Sequence, residues 1–201
     1  MFNYKNIFIF FLISLYILIG GYLSLTNGIT SDESFEQLNW IKNIEGIKNL
    51  LINGNYDEFL NYKDKYHGIA FHYISQPIQL VLYKFISELN NSTEHAAFLM
   101  SKHLAVFLIF FISSIFFYRL IFKITSNQLF SFLSLTTYLL YPYLLGHSLF
   151  NMKDIPFLSF WIITSYYSLS IAEDIFLEKK IYYKNLIFLA FLTSFLISIR
   201  I

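Results

Sequence analysis

Five apolar runs divide this chain, and each is long enough, or nearly so, to cross a lipid bilayer. They cover residues 7–25, 98–121, 129–145, 155–171 and 186–199. About 20 apolar residues in a helix span the roughly 30 Å hydrocarbon core. Lipid offers no water to backbone N–H and C=O groups, so such runs must satisfy them internally as helices. Composition agrees. Of 201 residues 56% are hydrophobic and only 13% charged, against about 25% charged in a soluble domain. The expected fold is all-α, a polytopic transmembrane helical bundle. A net charge of +1 supplies no field that would draw nucleic acid. The absence of Cys excludes disulfides, thiolate metal sites and a Cys nucleophile. The many Phe and Tyr residues reflect in part an AT-rich genome, so they do not by themselves indicate aromatic ligand binding.

The first run competes with a signal-peptide reading. No small-x-small cleavage site follows it and further runs come later, so it reads as the first transmembrane helix. Lys5 before it places the N-terminus in the cytoplasm by the positive-inside rule. Residues 26–97 then form a polar external loop. Asn27-Gly28 is a turn signal. Thr30 or Ser31 can cap a helix that begins near Asp32. Phe35, Leu38, Ile41 and Ile44 recur at helical spacing with Glu36, Lys42 and Glu45 between them. That pattern predicts an amphipathic helix lying on the membrane surface, ended by Asn53-Gly54-Asn55.

Residues 69–89 are apolar but carry His72, Gln76, Pro77, Gln79, Lys84 and Glu88, a polar load that a lipid-facing span bears only at a cost. They read as a second, half-buried juxtamembrane helix with Pro77 near a kink. Parity supports this. With 69–89 on the surface, the loop bearing Arg119 and Lys123 and the loop bearing Lys179, Lys180 and Lys184 both fall on the cytoplasmic side with Lys5. The Asp32 loop and the 147–154 loop then share the opposite face. The sequence stops at Arg200-Ile201 inside its fifth run, which reads as the N-terminal part of a longer protein.

Several polar residues sit at membrane edges, and each has two readings. Asp32-Glu33 is either an acidic helix start or a carboxylate pair poised as general base and substrate contact. His147, Asn151, Lys153 and Asp154 crowd a short hairpin between two apolar runs. Pro156 suits the first turn of the helix that follows. Asp154 can be a mere cap there and Lys153 a headgroup anchor, or both can serve a site, because ionisable residues at a membrane edge often do. Tyr66-His67-Gly68 is a turn or part of a site. Lys102-His103 can snorkel or bind an anionic headgroup or phosphate. Arg200 is an interface anchor or a phosphate contact. The five His residues show no metal-ligand spacing, and no Walker, GxGxxG or GxSxG motif occurs.

In this order, these features resemble the N-terminal part of a GT-C glycosyltransferase, in the branch of glycosyltransferase family 39, the protein O-mannosyltransferases and the aminoarabinose lipid A transferases. Four places carry the resemblance. Thr30-Ser31-Asp32-Glu33 resembles the acidic motif of the first external loop. Tyr66-His67-Gly68-Ile69-Ala70-Phe71 resembles the motif that opens the loop's second juxtamembrane helix, although Gly68-Ile69 stands where many relatives have two prolines. Met100-Ser101-Lys102-His103 resembles the basic start of the second span. The stretch from Gly146 through His147, Asn151, Lys153 and Asp154 to Pro156-Phe157 resembles the second external loop and is the most specific match.

The resemblance implies a GT-C-like bundle forming a single transmembrane domain over 1–201, with 26–97 as its external loop. It implies an inverting enzyme of the bacterial inner membrane. Its donor is a polyprenyl-phosphate-linked sugar and its acceptor a lipid, glycan or protein on the outer face. Asp32 is then the base, Glu33 its support or an acceptor contact, and Asp154 a carboxylate that positions acceptor or donor. Lys153, Lys102 and Arg200 become phosphate contacts, with His147, Asn151, His103 and His67 nearby. It implies no cofactor, although a divalent metal between Asp32 and Asp154 stays open. Two other classes compete. A transporter would place ionisable residues near the bilayer midplane within repeated halves, whereas here they cluster at the rims. A non-catalytic assembly subunit of the envelope is the third.

Overall fold

The computed structural model describes residues 4–179 and 182–200. Lys180 and Ile201, which bear on the expectations above, lie outside the described residues, as does the side chain of Lys5. Every regular element among the described residues is a helix. They are α1 (Tyr4–Thr26), α2 (Glu33–Asn53), α3 (Asp57–Leu60), α4 (His72–Asn90), α5 (Glu94–Met100), α6 (His103–Thr125), α7 (Gln128–Leu140), α8 (Pro142–Ser148), α9 (Asp154–Phe176) and α10 (Tyr183–Ile199).

Three of these units are long and apolar enough to cross a membrane: α1, α5 with α6, and α9. The pair α7 and α8 makes a fourth if it is one broken span. Five unbroken spans were expected, and the differences have local causes. Residues 129–145 do not form one rod, because the chain bends by 57° between α7 and α8. Pro142 pushes the residue before it out of the α region, and Tyr141 accordingly has φ −62° and ψ 116°. The last run forms α10, which is apolar but only 17 residues long. At 1.5 Å per residue it reaches about 25 Å, short of the hydrocarbon core. The 69–89 segment is helical with Pro77 inside it and is not among the candidate spans.

Helix α6 is the central strut, packed against α9, α7 and α1, while α10 lies on α9. Phe110, Val106, Tyr138, Ile155, Phe160, Ile163 and Leu192 share their core. Lipid tails are as apolar as Leu, so packing and interhelical hydrogen bonds hold such helices together. Here Ser113 Oγ and Tyr138 OH are 2.9 Å apart, and Tyr16 OH donates to Leu139 O at 3.1 Å.

The short helices gather at one pole. His103, at the start of α6, lies 3.1 Å from Ser24 O near the end of α1, and Asn90 donates to Leu25 O at 2.8 Å. Arg200, after α10, meets Asp154, at the start of α9. At the other pole Lys123 pairs with Glu173.

Helix α2 is amphipathic, with its apolar stripe turned outward and its polar stripe turned to the protein. Its apolar residues Phe35, Leu38, Ile41 and Ile44 are the exposed ones, and Glu33, Glu36, Gln37, Asn39 and Trp40 are buried. Glu36, on the polar stripe, faces the protein. Helix α4 repeats the arrangement, with His72, Ser75 and Gln79 inside and Leu80, Val81 and Phe85 outside. The helix start also differs from expectation. Asp32 is the N-cap without a side-chain cap bond. Instead the Glu33 carboxylate reaches back and accepts from Thr30 N–H at 2.7 Å and Thr30 Oγ at 3.0 Å.

Gly68 explains where Arg200 sits. A Cβ added there would stand 2.5 Å from Ile199 C, 2.6 Å from Ile199 O and 2.8 Å from Arg200 N, all of them backbone atoms. Ala70 N–H donates to Ser198 O at 3.1 Å beside this contact. Only a glycine lets the loop lie so close to the end of α10. Gly68→Ala is therefore expected to lower stability by about 1–3 kcal/mol. A thermal melt of the purified protein checks this, and a Tm equal to wild type would refute the close approach.

Candidate active site

At the pole where the short helices gather, a cleft of about 460 Å³ opens between the start of α2, the turn from α8 to α9 and the end of α10. Ligand sites are commonly about 300–1,000 Å³. Asp32, Glu33, Glu36, His147, Asn151, Lys153, Asp154 and Arg200 line it. The sequence motifs at 30–33 and 146–157 and the terminal Arg200 thus meet in one place, although more than 100 residues separate the first two.

The α8–α9 hairpin is ordered by Asn151. Its Oδ1 accepts from the N–H groups of Lys153 (3.1 Å) and Asp154 (2.8 Å). Its Nδ2 lies 3.1 Å from His147 Nδ1 and donates to Asp154 Oδ2 at 3.2 Å. Asp154 Oδ1 meets Arg200 Nη1 at 3.1 Å across the cleft, with both side chains more than half exposed. Arg200 also stacks on Phe157. Asp32 is exposed and accepts from Ser31 Oγ at 3.2 Å. It has no cationic partner among the described residues.

Behind the cleft lies a buried charge network. Glu36 Oε1 is 2.8 Å from His67 Nε2 and 3.2 Å from Lys153 Nζ, and Oε2 is 4.0 Å from His72 Nε2. Lys153 also hydrogen-bonds His67. Lys102 donates to Gln37 Oε1 and, at 2.8 Å, contacts His72 Nδ1. Lys102 is fully buried and does not reach the cleft wall. It therefore neither snorkels nor presents itself to a phosphate, because the joint between α5 and α6 turns it towards α2 and α4.

His103 is likewise buried. Its Nε2 lies 3.0 Å from Glu33 Oε2, but not along the N–H direction, so neither atom makes a hydrogen bond. The contact is electrostatic. Glu33 is 2% exposed; its Oε1 is committed to Thr30 and its Oε2 faces only the His103 ring.

Glu36 and His72 were not singled out by sequence. The legible signal was the set Glu33, Glu36, Gln37 and Trp40 at i, i+3, i+4 and i+7, a helical face as continuous as the apolar one. Inside a membrane protein the polar face is the one that turns inward when it has partners.

Burial pushes the Glu36 carboxyl up, yet the imidazoles of His72 and His67 and the Lys153 ammonium outweigh it and hold the group at about 2. Burial lowers His72 to about 4, with the Glu36 carboxylate opposing and Lys102 assisting. Both shifts make acid destabilising. The unfolded state protonates His72 first, so stability falls as pH drops from 6.5 towards about 4. That interval is worth about 3 kcal/mol. Glu36 contributes stability above its ordinary 4.5, and this is lost as pH falls from there towards about 2. Melting temperatures in a pH series should begin to drop below about pH 6.5, and His72→Gln should remove the upper part of the drop.

No group of three or more His, Cys, Asp or Glu residues among the described residues could hold a metal ion. Comparison with models of known families, with curated proteins and with solved structures finds no match.

Proposed function

We propose that the chain is a membrane glycosyltransferase that moves a sugar from a polyprenyl-phosphate donor to an acceptor hydroxyl. The observation that carries this reading is the cleft itself. An exposed carboxylate without a cationic partner, Asp32, shares about 460 Å³ with two cations, Lys153 and Arg200, at the end of the membrane helices. A base and a phosphate-stabilising pair are what the displacement of a lipid phosphate by an alcohol needs.

Asp32 takes the proton of the acceptor hydroxyl. The oxygen attacks the anomeric carbon from the face opposite the phosphate. The carbon–oxygen bond to phosphate breaks, and polyprenyl phosphate leaves with the electron pair, inverting the anomeric centre. Negative charge grows on the leaving phosphate, where Lys153 and Arg200 stabilise it most in the transition state. Asp154 orients Arg200, and His147 and Asn151 face the sugar. Lys102 and His103 support the cleft from behind. The donor's tail lies in lipid beside the helices. Arg119, Lys123, Lys179 and Lys184 sit around the opposite pole, which the positive-inside rule assigns to the cytoplasm. The cleft then faces the outer side of a bacterial inner membrane, where the acceptor is a lipid, glycan or protein.

The test supplies membranes that carry the protein with radiolabelled polyprenyl-phosphate sugar. Label should leave the lipid faster than in control membranes. A folded protein that discharges no such donor would remove this reading and bring transport or envelope assembly forward.

A further inference from the structure

Glu36 has more partners than a spectator carboxylate would. It is buried on α2, a helix that is not among the candidate spans, and groups from three other parts of the chain converge on it. His67 comes from the loop after α3, His72 from α4 and Lys153 from the turn before α9. Lys102 joins through His72.

Lys153 has two tethers, one to Glu36 directly and one to His67, and the second also leads back to Glu36. A lysine is a compact charge on a flexible stem, and free it carries about 2 kcal/mol of rotamer entropy. One that must meet a phosphate at a fixed point gains from being held in advance. His67 Nε2 faces both Glu36 and Lys153. Through that nitrogen it can donate to the carboxylate or accept from the ammonium, not both at once; when it donates, Lys153 still reaches the ring at Nδ1, 3.3 Å away.

We propose that Glu36 is the positioning residue of the cleft, a buried anion that sets where Lys153 stands on its wall and holds His67 beside it. The role rests on the transferase reading only in what Lys153 is held for; the tethering is a property of the chain itself.

Acetylation of the purified full chain by acetic anhydride, followed peptide by peptide in a mass spectrometer, reads the tether. Lys48 is exposed and serves as internal reference. Glu36→Gln removes the charge at nearly constant shape. It should raise the rate at Lys153 relative to Lys48 by about tenfold, the effect expected when a hydrogen bond to a charged partner is lost. Glu36→Asp keeps the charge on a shorter stem and should fall between wild type and Glu36→Gln.

An unchanged ratio in Glu36→Gln overturns the proposal. If Glu36→Gln unfolds, buried Lys102 labels as fast as Lys48, and Glu36→Asp decides: a ratio equal to wild type overturns. In the donor-discharge assay Glu36→Asp should lower kcat more than it raises KM, because Lys153 acts on charge that grows in the transition state, and a rise in KM alone counts against the proposal. A wild type that never discharges donor but shows the expected acetylation ratios leaves Glu36 in its role and removes the transferase reading instead.

Discussion

Replacing His103 with Ala is expected to cost about 2–5 kcal/mol of stability, the range for emptying a buried side-chain site while leaving a buried carboxylate oxygen without a partner. The pair is deep, with Glu33 2% exposed and His103 at 0%. Glu33 Oε1 keeps its bonds from Thr30, but Oε2 has only the imidazole at 3.0 Å. Without it a carboxylate oxygen lies in a dry interior with nothing to face, and the cavity left by the ring adds to the loss. The measurement is chemical denaturation of purified wild type, His103→Ala, Glu33→Gln and the double variant. Glu33→Gln alone should cost less than His103→Ala, because a neutral amide tolerates burial better than a carboxylate. The double variant should be more stable than the sum of the single losses predicts, since each single variant strands a group that the double removes. Strict additivity would show that the pair is not coupled. The same experiment tests the role first assigned to Glu33. A residue this buried, committed to Thr30 and His103, supports the start of α2 rather than touching an acceptor.

Asp32→Asn is expected to behave in the opposite way, with little change in stability and a large loss of activity. Asp32 is exposed and touches only Ser31, so surface substitution there should stay within about 0.5 kcal/mol. Under the proposed function its carboxylate accepts a proton in the transition state, and losing a positioned base should lower donor discharge about 10²–10⁴-fold. Denaturation and label release measured on the same membrane preparation separate the two effects. Discharge equal to wild type would move the base elsewhere in the cleft, with Asp154 next in line. A parallel collapse of stability would show that Asp32 is structural as well.

The sequence by itself determined that this chain is helical and belongs in a membrane. Runs of apolar residues near the length of a bilayer admit no other backbone, because lipid leaves N–H and C=O groups no partner outside their own helix. It also marked the 69–89 segment as a poor span, since His72, Gln76 and Gln79 are costly in lipid, and α4 is not among the helices long and apolar enough to cross. The convergence of Asp32, Lys153, Asp154 and Arg200 was legible through connectivity. Each sits at the end of an apolar run, and the parity of the runs puts those ends on one side.

What only the tertiary structure decided is which way the polar helices face. Periodicity gave α2 an apolar stripe and a polar one, but spacing is symmetric and does not say which stripe turns inward. In water the apolar stripe would. Here the interior of the pole holds Lys102 and Lys153 with His67, His72 and His103, and these ammonium groups and ring nitrogens attract Glu33, Glu36 and Gln37 more strongly than they attract Leu38 or Ile41. The five partners lie between 31 and 117 residues from Glu36, so no local pattern contains them. The same distance hid the fate of Lys102, which looked like a headgroup contact at the start of a span and is a buried cation. It hid as well the reason for Gly68, whose missing Cβ makes room for a backbone 131 residues further along the chain.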